Sequence, residues 1–138
     1  MLYISCVNKT LPPSLRETIV LIENFDYISY ICLMRRKETI LKRIREAVYS
    51  NAPQSEVYLY GSRARGNAKK QSDWDILILL NTPQVNFEVE KQFIDALYEV
   101  EIETGEVITP LIYSKSDWNR NHSITPLYEN IQREGIRI

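Results

Sequence analysis

The sequence predicts an α/β (α+β) fold, a small mixed β-sheet with helices packed on it. Three runs rich in β-branched, leucine and aromatic residues, at 57–60, 76–80 and 106–113, have the composition of strands. Amphipathic helical patterns lie before, between and after them. A chain of 138 residues is long enough for one domain with a real core.

The first predicted strand leads into a tight turn. Val57 and Leu59 alternate with two tyrosines, and the strand should end at Gly61, where the missing Cβ lets the chain turn sharply. Ser62 would open a short helix that Gly66 closes. A helix start leaves backbone N–H groups unpaired and carries partial positive charge, so this turn could cradle phosphate oxygens.

The second predicted strand carries two acidic residues at its start. Residues 67–71 form a loop, and the five apolar residues 76–80 indicate a strand that is covered on both faces. Alternate strand side chains share a face, so Asp73 and Asp75 should point the same way. Two adjacent carboxylates repel each other unless a cation or proton lies between them, and Mg²⁺ suits such oxygen ligands.

The remaining pattern completes the domain. Helices are expected from just after Met34, over 86–101, from about Ser114 and from Thr125–Pro126 to Gly135, and the third strand over 106–113. The helix after Met34 has one apolar stripe with basic residues mostly off it, which predicts a solvated basic surface.

Residues 1–33 stand apart from this organisation. We expect an N-terminal extension over 1–33 and the main domain over 34–138. The extension is either a docking segment or an artefact of an upstream start codon, and the second interpretation is favoured. A possible short helix at 14–24 and the aromatic run 27–33 are its main features.

Composition excludes several function classes. A formal net charge of −1 disfavours general nucleic-acid binding. The two cysteines, Cys6 and Cys32, have no metal-ligand spacing, so neither a structural disulfide nor a cysteine metal site is expected, and a reducing cytoplasm fits. No apolar run is long enough for a bilayer, so neither secretion nor membrane insertion is expected.

Taken together, Gly61-Ser62, Arg65-Gly66 and Ser72-Asp73-x-Asp75 resemble the signature of nucleotidyltransferases of the DNA polymerase beta superfamily. The most similar branch is the minimal (MNT-type) enzymes of HEPN/MNT toxin-antitoxin pairs. The resemblance implies that Gly61 and Ser62 bind a nucleoside triphosphate, while Asp73 and Asp75 bind Mg²⁺ and carry catalysis. Arg65 either contacts the phosphates or belongs to a solvated basic loop with Arg63, Lys69 and Lys70.

The sequence departs from the family at one position. Catalytic members usually carry a third carboxylate on the strand after the long helix, where this chain has Thr109. Threonine has no useful basicity, so the base is missing or comes from elsewhere. Glu106 is the nearest candidate, but it lies three residues from Thr109 and should face the other side unless the strand begins after it. Glu103 lies before the strand and could reach the site only through a bent connection.

Two functions of different classes remain. In the first, the protein is an Mg²⁺-dependent enzyme that transfers a nucleoside monophosphate to a hydroxyl. The resemblance suggests AMP from ATP as the transferred group and a tyrosine of a HEPN-type toxin as the acceptor. In the second, the site is inactive and the protein neutralises a partner by binding it, which the missing third carboxylate favours.

Other conspicuous side chains have structural interpretations. Trp74 lies between the two aspartates in sequence and should face away from them, under the first helix or at a partner interface. Tyr113, Trp118 and Tyr128 are interpreted as packing residues, and His122, the only histidine, as a surface or capping residue.

Overall fold

A computed structural model describes the backbone of residues 13–138 and the side chains of residues 27–138. Predictions that fall on residues 1–12, including that for Cys6, lie outside this range. The chain divides after Thr39 into two units.

The first unit is helical where it is described. Helix α1, Pro13–Asn51, begins in this unit and continues into the second without a break. The sequence predicted a short helix at 14–24 and a second helix after Met34, but no glycine or proline interrupts residues 14–50, so one helix forms. Several large apolar side chains of this unit are exposed, namely Tyr27, Ile28, Tyr30, Leu33 and Met34.

The second unit has the predicted mixed architecture. After α1 follow β1 (Glu56–Tyr60), α2 (Gly61–Arg65), β2 (Trp74–Leu80), α3 (Phe87–Thr104), β3 (Ile108–Ser114), α4 (Lys115–Asn121), α5 (Pro126–Glu134) and β4 (Ile136–Arg137). The prediction of a small mixed sheet with helices packed on it is therefore confirmed.

The sheet has the order β3-β2-β1-β4. Strand β1 pairs antiparallel with β2 and β4, and β2 pairs parallel with β3. The apolar strand β2 is thus interior, as its run of five apolar residues predicted. Strand β4 was not predicted, because two residues carry no measurable periodicity.

Side chains of β2 alternate between two apolar clusters, one on each face of the sheet. Trp74, Ile76 and Ile78 pack on the face that is covered by α1 residues from Ile40 onward and by α3. Leu77 and Leu79 pack on the opposite face with residues of α4 and α5. Because β2 is covered by apolar residues on both faces, it is an interior strand of the sheet.

Helix ends follow the predicted capping chemistry. Asn86, Ser114 and Thr125 cap α3, α4 and α5, each accepting a backbone N–H bond on its side chain. Pro126 occupies the first helical position of α5, and Gly135 follows its end.

No helix within residues 13–138 is long and apolar enough to cross a membrane.

Candidate functional site

The turn between β1 and α2 lies directly against an acidic side chain of β2. Gly61 has a φ of 70°, and a Cβ at that position would overlap the carboxylate of Asp75. Only glycine combines this backbone conformation with such a close approach. The β1–β2 register, in which Tyr60 is opposite Asp75, brings the two together.

Asp73 lies close enough to Asp75 for its charge to act on the Asp75 carboxyl, and the two are called the acidic pair below. Trp74 packs in the core beneath α1, so Asp75, the next residue of β2, is on the opposite face of the sheet. Asp73 directly precedes the strand and is exposed, whereas Asp75 is partly buried. Burial raises the pKa of the Asp75 carboxyl, the charge of Asp73 raises it further, and Arg65 and Arg63 lower it. These effects indicate an acidic site with basic groups nearby.

Ser62 and Arg65 lie on the short helix α2. Among residues 27–138, the Ser62 hydroxyl has no hydrogen-bond partner, while its carbonyl accepts bonds from the N–H groups of Gly66 and Asn67. Arg65 forms an ion pair with Glu134 of α5, with Nη1 and Oε1 2.8 Å apart. The Ser62 hydroxyl is therefore available to a ligand, and Arg65 is held near the acidic pair.

Thr109 lies next to Asp75 in the sheet. In the parallel β2–β3 pairing its register partner is Asp75, and its side chain is exposed. A carboxylate at this position would stand beside Asp75. Threonine supplies only a hydroxyl there.

Both glutamates that were considered as replacement bases bind side chains outside the acidic pair. Glu103 forms an exposed ion pair with Arg43 of α1. Glu106 Oε2 accepts bonds from Trp74 Nε1 and from Arg63 Nη2, both at 3.0 Å. Strand β3 begins at Ile108, so Glu106 precedes it and strand alternation does not set the direction of its side chain. The bond to Trp74, which belongs to the face of the sheet opposite Asp75, shows where this carboxylate lies.

Two residues of the site were not recognised from the sequence. For Arg63 the sequence left open a solvated basic loop or a role in offsetting phosphate charge. In the structure its side chain is only 15% exposed and donates to the backbone carbonyls of Ser72 and Asp73. Tyr60 is opposite Asp75, and burial, with the charges of Asp75 and Tyr113, raises the pKa of its phenol to about 12. The β-strand alternation that predicts β1 could have indicated Tyr60, whereas no local pattern distinguishes Arg63 from Arg65.

The aromatic residues outside the site pack as predicted. Trp118 is 1% exposed and lies beside Tyr113, Tyr128 and His122, with ring centroids 5.3, 5.4 and 5.5 Å away. His122 caps the end of α4, and its Nε2 is 3.4 Å from Asp117 Oδ2. These contacts support packing and capping roles.

Residues 41–136 match the family model of the nucleotidyltransferase domain. Since the match spans more than half of the chain and includes the Gly-Ser turn and both aspartates, the chain belongs to this family. A solved structure described as a toxin-antitoxin with AMP-PNP has the same fold. Its TM-score is 0.52 at 15% sequence identity, and the alignment covers 70% of this chain and 69% of that one. A comparison with curated protein sequences gives no significant match.

Proposed function

We propose that this protein binds a nucleoside triphosphate, with ATP as the favoured donor, together with Mg²⁺, and transfers the nucleoside monophosphate to a hydroxyl, releasing pyrophosphate. The observation that carries the proposal is the contact between the Gly61–Ser62 turn and Asp75, in a chain of the nucleotidyltransferase domain family. A phosphate-binding turn directly beside a carboxylate pair is the arrangement that nucleotidyl transfer needs, because metal and triphosphate must meet there.

The carboxylate pair fits Mg²⁺ better than a metal that needs a complete protein cage. Among the residues whose side chains are described, no group of three or more acidic, histidine or cysteine residues is arranged for a metal. Mg²⁺ commonly takes one or two carboxylates and completes its six ligands with substrate phosphates and water. Asp73 and Asp75 would hold it, and when bound it would neutralise charge on the triphosphate and align the reacting groups.

The residues of α2 would bind the departing phosphates. The Ser62 hydroxyl can donate to a phosphate oxygen, and Gly61 lets the backbone approach closely. Arg65 already acts electrostatically on Asp75, which supports a contact with phosphate oxygens near that carboxylate. The Glu134 carboxylate holds the guanidinium on this side of the sheet.

Thr109, which is exposed, affects which kind of acceptor hydroxyl can react. Without a third carboxylate at Thr109 to act as base, the acceptor hydroxyl would lose its proton to water or a phosphate oxygen. A phenol, with a pKa of about 10, loses its proton far more readily than an aliphatic alcohol. We therefore propose a tyrosine of a partner protein as the acceptor, a HEPN-type toxin being the candidate that the family resemblance supplies.

The test is label transfer with purified protein. ATP labelled at the α-phosphate, Mg²⁺ and a co-expressed partner are incubated with wild type, Asp73→Asn, Asp75→Asn and Asp95→Asn. Asp95 is an exposed residue of α3 whose side chain pairs with Lys91, so its variant controls for loss of one surface carboxylate. Label on the partner that disappears in the first two variants and persists in the control supports the proposal, whereas no transfer by wild type refutes it.

A second candidate is a binding module without turnover. Thr109 supports it, as do four exposed apolar side chains on α3, those of Phe87, Ile94, Tyr98 and Ile102, since exposed apolar surface can form a protein contact. This candidate predicts that Asp75→Asn leaves partner affinity unchanged while Tyr98→Arg weakens it. Transfer of label in the preceding assay would refute it.

A further inference from the structure

Arg63 connects the proposed phosphate turn to the segment that carries Asp73. It belongs to α2, one residue after Ser62, and its Nε donates to the carbonyl of Ser72 at 2.9 Å and to that of Asp73 at 3.3 Å. Its Nη2 also donates to the Ser72 carbonyl. One guanidinium thereby fixes the backbone of two consecutive residues at the start of the acidic strand.

The same guanidinium is fixed from its other sides. Arg63 Nη2 is 3.0 Å from Glu106 Oε2, and Arg63 Cζ lies 4.2 Å from the centroid of the Trp74 ring. The Glu106 carboxylate accepts a second bond from Trp74 Nε1. The side chains of Arg63 and Glu106 are only 15% and 12% exposed, so this ion pair is largely removed from solvent.

These contacts join three segments that the proposed reaction requires. Arg63 follows the phosphate turn, Ser72 and Asp73 lead into β2, and Glu106 precedes the strand that contains Thr109. Among residues 27–138, loop 67–73 is otherwise held by the bond from the Asn67 N–H to the Ser62 carbonyl and by two bonds between Lys69 and Ser72. Its end would therefore depend on Arg63 for its position.

A stabilising role alone does not account for the pair. Burying an arginine and a glutamate costs solvation that their attraction often only matches, and apolar residues of similar volume would serve stability equally well. A guanidinium can instead direct donors to two backbone carbonyls and a carboxylate at once, because its N–H groups are fixed in one plane.

We infer that Arg63, fixed by Glu106 and the Trp74 ring, is a positioning residue that holds Asp73 beside Asp75 so that the pair can bind a divalent cation. This inference rests on the proposed function for its purpose. It concerns residues that would not themselves touch the nucleotide or the metal. Groups that orient metal ligands typically change metal affinity by about 10- to 100-fold when they are removed.

The experiment measures Mn²⁺ binding to the whole protein by electron paramagnetic resonance, with and without ATP. Arg63→Gln and Arg63→Lys are compared with Arg43→Gln, which removes a guanidinium from an exposed ion pair with Glu103. We expect the dissociation constant for Mn²⁺ to rise at least about tenfold in both Arg63 variants, since lysine cannot reach all three acceptors. Arg43→Gln should bind as wild type does.

Two further measurements separate positioning from folding. Amide hydrogen exchange in peptides spanning 66–75 should accelerate in Arg63→Gln and remain unchanged in Arg43→Gln, with other β2 peptides protected in both. Glu106→Gln keeps an acceptor oxygen for Arg63 and Trp74, so it should retain near wild-type Mn²⁺ affinity, whereas Glu106→Ala should lose it.

The outcomes distinguish this inference from the proposed reaction. If wild type binds Mn²⁺ and the Arg63 variants bind it more weakly, the inference stands even when no label transfer is detected. Equal Mn²⁺ affinity in Arg63→Gln and wild type overturns it, and so does a general loss of protection across the sheet without a local change at 66–75. Failure of wild type to bind Mn²⁺ overturns it as well.

Discussion

Replacing Gly61 by alanine tests the contact on which the candidate site depends. The residue has a φ of 70°, and its new Cβ would meet Asp75 Oδ2, with Cγ 3.0 Å away and Cβ 3.3 Å away. Gly105, at the end of α3, has almost the same φ of 69° but open space around the position of a Cβ. Gly105→Ala is therefore a control with matched backbone strain and no clash.

The expected cost has two parts. An L-residue in the left-handed region costs about 1–2 kcal/mol, which both variants share. Only Gly61→Ala must also displace the Asp75 side chain from its rotamer, at a further cost of about 0.5–1.5 kcal/mol. The sum is about 1.5–3.5 kcal/mol, and a domain of this length loses roughly 3 °C of Tm per kcal/mol, so Gly61→Ala should melt about 5–10 °C below wild type.

The assay is urea denaturation followed by circular dichroism, with thermal melts as a second measure. Gly105→Ala should lose about 1–2 kcal/mol of unfolding free energy and keep its Mn²⁺ affinity. Gly61→Ala should lose more stability and also bind Mn²⁺ poorly, because the displaced carboxylate no longer meets Asp73. Displacement of a ligand by about 1 Å typically lowers a reaction rate by about 100-fold, so label transfer should fall accordingly.

A double mutant decides whether the clash is with Asp75. In an Asp75→Ala background the overlapping carboxylate is absent, so Gly61→Ala should cost only what Gly105→Ala costs. The two substitutions at 61 and 75 should then be non-additive by about 0.5–1.5 kcal/mol. Additive effects, or equal costs for Gly61→Ala and Gly105→Ala in the wild-type background, would refute the close approach of turn and carboxylate.

Three further predictions concern neighbouring residues. Asp75→Asn should stabilise the protein at pH 7, because folding raises the pKa of this carboxyl and so disfavours its charged form. Urea melts from pH 7 to 3 should show that the gain in unfolding free energy shrinks as the pH falls through the raised pKa of Asp75 and vanishes below about 3.8. A gain that persists at pH 3 would show that the charge of Asp75 is not its cause. Thr109→Asp places a carboxylate beside Asp75 and should raise the rate of label transfer at least about tenfold over that of Thr109→Asn. Equal rates in the two variants would argue that no base is missing at this position. Ser114→Ala removes the buried cap of α4 and should cost about 1–2 kcal/mol in urea melts, against less than about 0.5 kcal/mol for the exposed Ser116→Ala; similar costs would show that the cap contributes little.

Most of the second unit was predictable because its signals are local. The apolar run of β2 fixes an interior strand, and side-chain caps such as Ser114 and Thr125 fix where helices begin. The continuous helix α1 was missed because a change of composition near Met34 is weaker than the absence of any helix-breaking residue. Strand β4 was missed because its pairing with β1 depends on long-range contacts that no two-residue pattern encodes.

The residues of the candidate site also differ in whether local sequence or distant contacts determine their position. Gly61 and Asp75 were predicted by spacing alone, because a turn and a strand are each set by a few neighbouring residues. The environment of Arg63 depends on Glu106, which lies 43 residues further along the chain. Two arginines of similar local sequence, Arg63 and Arg65, thus have different partners, Glu106 in one case and Glu134 in the other. Only the register of the sheet and the packing of α5 separate them.

Metal binding at the acidic pair is expected of an enzyme and of an inactive binding module alike. Asp73 raises the pKa of Asp75, so the two carboxylates repel each other when no cation is bound. Any divalent ion that binds there is attracted to both carboxylates and also reduces their repulsion. An inactive binding module with the same two aspartates would therefore bind Mn²⁺ and be stabilised by it as well as an enzyme would. Transfer of the α-phosphate separates the two functions, and the comparison of Thr109→Asp with Thr109→Asn measures how far the missing carboxylate limits that transfer.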